Sequence, residues 1–201
     1  MNVLLHGDGG QSFLDFPNQA VQDNLMGVVI QGGFPNCTDC SLVYVLMENK
    51  APNDMRFWGG GSGLQRTDGV AHAAAVNDLI QTQLPQDVAF NKSNVFFTGV
   101  SGGSLMMSGF FMPAFGAQYQ TGIVLNCGAL EPQVPVVDPN TLATTMKIHY
   151  QSTQDELTLL QPAIPAAIQA YETMATAAGL TPDQIGALQT VNNSPVGKSS
   201  L

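Results

Sequence analysis

Short runs of strand-forming residues alternate with longer segments of helical periodicity along most of this 201-residue chain. The runs are apolar and rich in β-branched or aromatic residues, as in strands that are buried on both faces. Strands separated by helices pair in parallel, and the helices then cover both faces of the sheet. We therefore predict an α/β fold with a mostly parallel sheet flanked by helices. The predicted strands lie at 2–5, 27–30, 94–100, 121–127 and 144–150.

Three segments carry the clearest helix signals. The first covers 14–26. The second covers 67–84, with a threonine or an aspartate as its N-cap and Pro85 just after its predicted end. The third covers 161–180, where an apolar stripe runs along one face and a glycine provides the stop signal.

The length of the chain fits a single domain with a substantial core. We predict this domain over residues 1–180. The segment 31–50 interrupts the alternation, so it is interpreted as an insert, either a genuine extra hairpin or foreign sequence. Residues 181–201 turn small and polar, and they are predicted to form a loosely ordered tail.

The composition excludes several classes of function. The formal net charge is −9 with six lysines and arginines, which argues against a nucleic-acid partner because phosphate binding needs clustered cations. No apolar run is long enough to span a bilayer, and the first residues do not resemble a signal peptide. Cys37 and Cys40 form a C-x-x-C pair without a second ligand pair or a thioredoxin-like context. We predict no metal or cofactor site.

The run NVFFTGV leads into GVSGG at 99–103, which fits the pattern G-x-S-x-G, and a helix-like segment follows directly. In a nucleophile elbow the chain turns sharply from strand to helix, and flanking glycines let the two segments pass closely. Such a turn would expose Ser101 Oγ at the carboxyl end of the sheet and leave the N–H of Gly102 available to an oxyanion. The alternatives are a glycine turn without chemistry and a phosphate-binding turn, although the G-K-[ST] ending of a P-loop is absent.

A second glycine turn, HGDGG at 6–10, follows the first predicted strand. Together with GVSGG, and with βαβ units between them, it resembles the α/β-hydrolase superfamily, whose oxyanion loop contains a His-Gly step. The resemblance implies that the backbone N–H of Asp8 or Gly9 forms an oxyanion hole with that of Gly102. It also implies that His6 shapes the loop and is not the catalytic base.

The resemblance runs from the third strand of the usual hydrolase sheet to the helix after the seventh. The leading strands and the last strand–helix unit look absent, so the chain is expected to be truncated at both ends. The segment 66–104 is similar to the esterase and depolymerase branch. The chain also resembles a set of secreted fungal hydrolase-like proteins, some of which carry a cyclin-like F-box label, and this implies secretion although the localisation stays open.

In this family the catalytic acid usually lies just after the second strand that follows the serine turn in sequence. Asp155 lies just past the predicted strand at 144–150 and fits that place. Glu156 and Glu131 are alternatives, and Asp155 could instead be a carboxylate at a helix N-terminus. The chain order of serine before acid favours the catalytic role.

The family's histidine should follow the acid, but His6, His72 and His149 all precede Asp155. His72 is predicted to face solvent from a helix and His149 to lie on a sheet strand, so either would need unusual geometry to serve as base. A serine without its base is a poor nucleophile. Loss of the triad histidine lowers kcat by about a million-fold in subtilisin, so we expect impaired activity here.

The resemblance implies a serine hydrolase that acts on carboxylic esters through an acyl-enzyme, with Ser101 as nucleophile and Asp155 as the acid. The expected partner is a small-molecule or polymer ester. Phe57 and Trp58, in the loop RFWGGGSGLQ, are predicted to line the rim of the site. The alternatives are a non-catalytic binding module of the same fold and an inactive fragment.

Overall fold

The computed structural model describes residues 1–10, 26–30, 57–60, 63–154, 160 and 162–193. Their six strands form one sheet in the order β2-β1-β3-β4-β5-β6. Every neighbouring pair is parallel, which confirms the predicted α/β fold. The strands are β1 (Asn2–Leu5), β2 (Gly27–Ile30), β3 (Phe96–Val100), β4 (Gly122–Asn126), β5 (Lys147–Gln151) and β6 (Gln189–Asn192).

The helices follow the strands as expected for βαβ units. Two π-helical segments, Leu79–Gln83 and Met107–Phe111, join α1 to α2 and α3 to α4, and a 3₁₀ turn at Lys92–Asn94 precedes β3. The α-helices are α1 (Gly69–Asp78), α2 (Leu84–Asp87), α3 (Gly102–Met106), α4 (Met112–Tyr119), α5 (Pro139–Thr145), α6 (Ala163–Ala177) and α7 (Pro182–Leu188).

The helix predicted over 67–84 does not stop before Pro85. The π-helical segment Leu79–Gln83 changes the hydrogen-bond register, and Pro85 then lies in the first turn of α2. A proline is tolerated there because the first turn of a helix has no intrahelical use for its N–H. The helix therefore extends one further turn, to Asp87.

The core lies between the sheet and the helices that follow β2 and β3. Aromatic rings fill its centre: the centroid of the Phe97 ring is 5.0 Å from that of Phe111 and 4.9 Å from that of Tyr119. On the other side of the Met107–Phe111 segment, the Tyr171 hydroxyl on α6 donates to the main-chain oxygen of Ser108. These contacts fix the long helix behind the elbow, and they include only buried side chains.

The tail predicted to be loosely ordered over 181–201 instead continues the fold as far as Asn192. Helix α7 begins with a capping box between Thr181 and Gln184, and β6 then pairs in parallel with β5. The sequence analysis missed this helix and strand because the strand QTVN is short and mostly polar, and so gives no apolar run. As an edge strand with one neighbour, β6 does not need one. Residues 194–201 lie outside the described residues, and the prediction for them stays a prediction.

Two of the predicted segments lie outside the described residues: the insert at 31–50 and nearly all of the helix at 14–26. The part of the chain that the structure describes contains no helix with the length and hydropathy of a membrane span.

Candidate active site

The sheet reverses its winding between β1 and β3. From β1 the chain goes to β2 on one side, and β3 then pairs with the opposite edge of β1. Loops that leave the carboxyl ends of two such strands diverge and open a crevice, where α/β sheets bind their ligands. The HGDGG turn follows β1 and Ser101 follows β3, so the topology brings the two sequence motifs to one crevice.

Ser101 joins β3 to α3 in a strained conformation. Its φ is 48° and its ψ is −113°, a region that residues with a Cβ rarely occupy. Hydrogen bonds hold the main chain on both sides: Ser101 N donates to Asn126 O at 2.7 Å, and Leu105 N donates to Ser101 O at 3.0 Å. This strand–turn–helix arrangement, the elbow, matches the backbone geometry that the pattern G-x-S-x-G predicts.

The glycines on either side of Ser101 are required by close packing. A Cβ at Gly99 would come within 2.7 Å of the Ser104 main chain, and one at Gly103 would overlap Leu5 O at the end of β1. The start of α3 therefore passes directly over β1 and β3. This agrees with the steric reason for glycines two residues before and two after the serine.

Asn126, at the end of β4, fastens the elbow from the other side. Its main-chain oxygen accepts from Ser101 N and, at 2.9 Å, from Ser104 Oγ, while its Nδ2 donates to Gly99 O at 3.1 Å. The sequence analysis missed this residue, because an asparagine at the end of a strand has no distinctive pattern.

The HGDGG turn lies against the elbow. Gly10 N donates to Gly7 O at 3.1 Å, and Gly9 has a φ of 91°, which only glycine adopts readily. A Cβ at Gly102 would overlap the Asp8 carboxylate, so the Asp8 side chain lies directly on the residue after Ser101. The structure thus brings Asp8 against Gly102, next to Ser101, and Gly9 follows Asp8 in the same turn.

Arg66 holds the Asp8 carboxylate in place, and sequence reasoning did not find it. Its two terminal nitrogens donate to the two carboxylate oxygens at 2.8 and 2.7 Å. The same nitrogens donate to Trp58 O at 3.0 Å and to Gly63 O at 2.6 Å. The guanidinium thereby ties the turn after β1 to the loop before α1.

Trp58 does not line the rim of the site, contrary to the prediction. It is 0% exposed, and its ring lies 5.5 Å from that of His6 and 5.9 Å from that of His72. A tryptophan in a glycine-rich loop looks exposed in sequence, but here the loop folds inward and buries it against α1. Phe57 is half-buried, and its role as a rim residue stays a prediction.

His72 is buried, whereas the sequence analysis predicted that it faces solvent. Its Nδ1 accepts a hydrogen bond from Gly59 N at 2.9 Å, which requires a neutral ring with the proton on Nε2. Burial lowers the pKa of His72 below its ordinary value of 6.5, against an opposing effect of the Asp68 carboxylate. The residue is thus part of the packing around Trp58.

His149 is remote from the elbow, in agreement with its predicted place on a strand. The register aligns it with Val124 on β4, three residues before the level of Ser101, and β4 lies between β3 and β5. Rises of about 3.3 Å and spacings of about 4.8 Å then put the two Cα atoms roughly 14 Å apart. His149 Nδ1 instead lies 2.7 Å from Thr190 Oγ1.

The predicted acid lies beyond the described part of β5. The structure places Ser152 and Thr153, both buried, directly after the strand, whereas Asp155 and Glu156 lie outside the described residues. Glu131 is exposed in the loop after β4. Among the described residues there is also no group of three or more His, Cys, Asp or Glu side chains arranged to hold a metal ion.

No protein-family model matches the chain, and neither does any curated protein sequence. Solved structures do match. SOBER1 from Arabidopsis thaliana superimposes with a TM-score of 0.55 at 16% identity, over 100% of this chain and 90% of that one. A Bacillus cereus carboxylesterase gives 0.62 at 14%, over 99% and 79%. A Mesorhizobium loti carboxylesterase gives 0.62 at 16%, over 96% and 77%.

The protein therefore has the α/β-hydrolase fold, and the solved structures that it resembles include carboxylesterases. The resemblance inferred from HGDGG and GVSGG is confirmed at this level. Identities of 14% and 16% concern the fold, so the chemistry must be argued from the site of this chain.

Proposed function

We propose that this protein is a serine hydrolase of carboxylic esters that works through an acyl-enzyme. The observation that carries the proposal is the backbone of Ser101, whose φ of 48° is kept at the carboxyl end of β3, in the crevice of the sheet. Such strain persists only where the surrounding structure enforces it, and it is typical of functional sites.

In the first step Ser101 Oγ attacks the ester carbonyl carbon, and its electron pair forms the new C–O bond. The carbonyl oxygen takes up the negative charge, which the N–H of Gly102 and that of Asp8 or Gly9 stabilise. The intermediate collapses to the acyl-enzyme as its C–O bond to the alcohol breaks, and the alcohol takes up the proton that Ser101 lost. Water then attacks the acyl-enzyme and releases the acid, restoring Ser101.

The proton of Ser101 needs an acceptor, and the three described histidines have other hydrogen-bond partners. His72 accepts from Gly59 N, His149 lies by Thr190, and His6 Nδ1 donates to Gly7 O at 2.6 Å. In the proposal Asp155 orients a histidine that this 201-residue sequence does not place after it. We therefore expect this 201-residue chain to hydrolyse esters slowly. An oxyanion hole alone can still leave roughly a thousand-fold acceleration over water.

A second candidate function is a non-catalytic binding module that keeps the hydrolase fold. The engagement of His72 and the distance of His149 favour it, since both remove a base from the crevice. The strained Ser101 favours the enzyme, because a binding module gains nothing from the strain. Small and polymeric esters both fit the enzyme proposal, as does a secreted location.

The experiment is the hydrolysis of p-nitrophenyl butyrate by the 201-residue protein, together with labelling by a fluorophosphonate and mass spectrometry of the adduct. We expect slow hydrolysis that Ser101→Ala abolishes and slow labelling on Ser101 alone. The matched control is Ser104→Ala, which removes a hydroxyl one helical turn away that donates to Asn126 O. Hydrolysis unchanged in Ser101→Ala, or labelling on other residues only, would overturn the proposal in favour of the binding module.

A further inference from the structure

The Asp8 side chain is fixed beside the nucleophile and not merely near it. Its carboxylate lies where a Cβ of Gly102 would be, and consecutive Cα atoms are about 3.8 Å apart, so it is within a few ångströms of Ser101. Two hydrogen bonds from Arg66, at 2.8 and 2.7 Å, set its orientation in the bidentate manner that holds a carboxylate rigidly.

The ion pair presents its negative end to the crevice. The Arg66 side chain is 1% exposed, whereas the Asp8 side chain is 23% exposed. The terminal nitrogens of Arg66 also donate to Trp58 O and Gly63 O. Its buried Nε has no hydrogen-bond partner among the described residues. A ligand in the crevice therefore meets the carboxylate and cannot reach the guanidinium.

The carboxylate keeps capacity for a ligand. Its two oxygens offer about four acceptor positions, and the hydrogen bonds from Arg66 use two of them. A donor on the ligand would complete the set, and an ammonium would add charge attraction. A carboxylate on the ligand would face repulsion without any donor to compensate, in a protein with a net charge of −9.

From these observations we infer that Asp8 determines the specificity of the site. It selects esters whose acyl part carries an ammonium or hydroxyl donor close to the ester carbonyl, and it rejects esters with a carboxylate there. The inference rests on the proposed function only for the claim that the ligand is an ester. The subsite itself is formed by Asp8, Arg66 and Gly102.

The test separates binding from turnover by using amides, whose carbonyl carbon is much less electrophilic than that of an ester. Four ligands of matched length are titrated into the ¹⁵N-labelled protein: β-alaninamide, 3-hydroxypropanamide, butanamide and malonamate. We expect shifts of the Gly102 and Asp8 amide signals, with β-alaninamide binding about fivefold more tightly than butanamide, as for a partly exposed ion pair. 3-Hydroxypropanamide should fall between them, and malonamate should bind most weakly.

The variants assign the discrimination to the carboxylate. Asp8→Asn should bind β-alaninamide and butanamide equally. Because this change leaves the buried Arg66 without its counter-ion, the titration is repeated with Asp8→Asn/Arg66→Gln, in which both charges are removed together. We expect the same loss of discrimination there. Equal binding of all four amides to the wild type, no binding of any, or discrimination that survives in the variant that folds would each overturn the inference.

Hydrolysis of the four corresponding p-nitrophenyl esters distinguishes the two proposals. If Ser101→Ala leaves all four rates unchanged while the amides bind in the expected order, the proposed function fails and the subsite stands. If hydrolysis depends on Ser101 but the esters show no preference that Asp8→Asn removes, the proposed function stands and the inference fails.

Discussion

Ser101 adopts a backbone conformation that its neighbours impose. The main-chain oxygen of Asn126 holds its N–H, and the close packing of Gly99 and Gly103 leaves no other path from β3 to α3. Such dihedrals destabilise the folded state by about 1–3 kcal/mol when the residue has a Cβ. The protein therefore gives up stability at this one residue to expose a hydroxyl.

The strain predicts a difference between two variants that both lack Oγ. Ser101→Gly can adopt a φ of 48° freely, whereas Ser101→Ala keeps the Cβ that is strained there. We expect the glycine variant to be more stable by about 1 kcal/mol, after allowance for the larger entropy of an unfolded glycine. Urea denaturation measures the free energy of unfolding of both proteins. An alanine variant equal to or more stable than the glycine variant would show that Ser101 is relaxed.

The same residues show what a sequence can predict at this scale. The elbow and the HGDGG turn were predictable because their tight backbone geometry requires glycines at fixed positions in the sequence. Arg66 and Asn126 were not, because a buried ion pair and a strand-end amide depend on chain segments that meet only in the fold. Trp58 was misplaced for the same reason, since its burial follows from contacts with His6 and His72.

At the scale of elements, the turn at 57–60 is attached to α1 through His72. Gly59 N donates to His72 Nδ1, and the Trp58 ring lies edge-on to the imidazole. Arg66 donates a hydrogen bond to Trp58 O in the same turn and forms an ion pair with Asp8. One neutral histidine thus supports the chain of contacts that ends at the elbow.

This attachment predicts a dependence of stability on pH. The pKa of His72 is lowered in the folded protein by burial, so the unfolded chain takes up a proton first as the pH falls. The contribution of His72 is fully present above its ordinary pKa of 6.5 and declines as the pH falls through the folded value. In His72→Asn the Oδ1 can accept from Gly59 N without titrating, and we expect that variant to lose less stability between pH 7 and pH 5, by urea denaturation.

A second variant tests whether the hydrogen bond is responsible. His72→Phe keeps a ring but has no acceptor for Gly59 N, so it should be destabilised by about 1 kcal/mol at neutral pH. It should lack the acid-dependent loss, as His72→Asn does. An identical decline of stability in the wild type and both variants would place the titrating group elsewhere.

The elements themselves divide into those with a periodic signal and those without one. The first five strands were predictable because they are apolar runs, and they match the structure apart from their ends. Strand β6 and the extension of the helix past Pro85 were missed. A polar edge strand is stabilised by its pairing with β5, and a proline in the first turn of α2 is made possible by the π-helical segment before it. Neither effect is encoded in local periodicity.

On the scale of the whole molecule, the parallel sheet sets which residues can reach one another. The crevice between β1 and β3 joins the HGDGG turn to the elbow, although the two motifs are about ninety residues apart in sequence. The same register keeps His149 two strands away and below the edge of the sheet. The architecture therefore brings a candidate nucleophile and candidate oxyanion donors together, without a candidate base among the described histidines.

This arrangement predicts that a base supplied from solution accelerates the chemistry. Imidazole can approach the partly exposed Ser101, take its proton and return it to the leaving alcohol, which is the role that a histidine has in a complete triad. We expect the hydrolysis of p-nitrophenyl butyrate to rise with imidazole concentration. Since imidazole also cleaves the ester in solution, the quantity to compare is the difference in rate between the wild type and Ser101→Ala.

That difference should increase about tenfold or more at high imidazole, within the range of general base catalysis. His149→Ala is the matched control, and its rate with and without imidazole should equal that of the wild type, because His149 is far from Ser101 and bonded toward Thr190. Robust Ser101-dependent turnover that imidazole does not raise, and that His149→Ala or His72→Asn abolishes, would show that one of these histidines moves into the crevice and acts as the base.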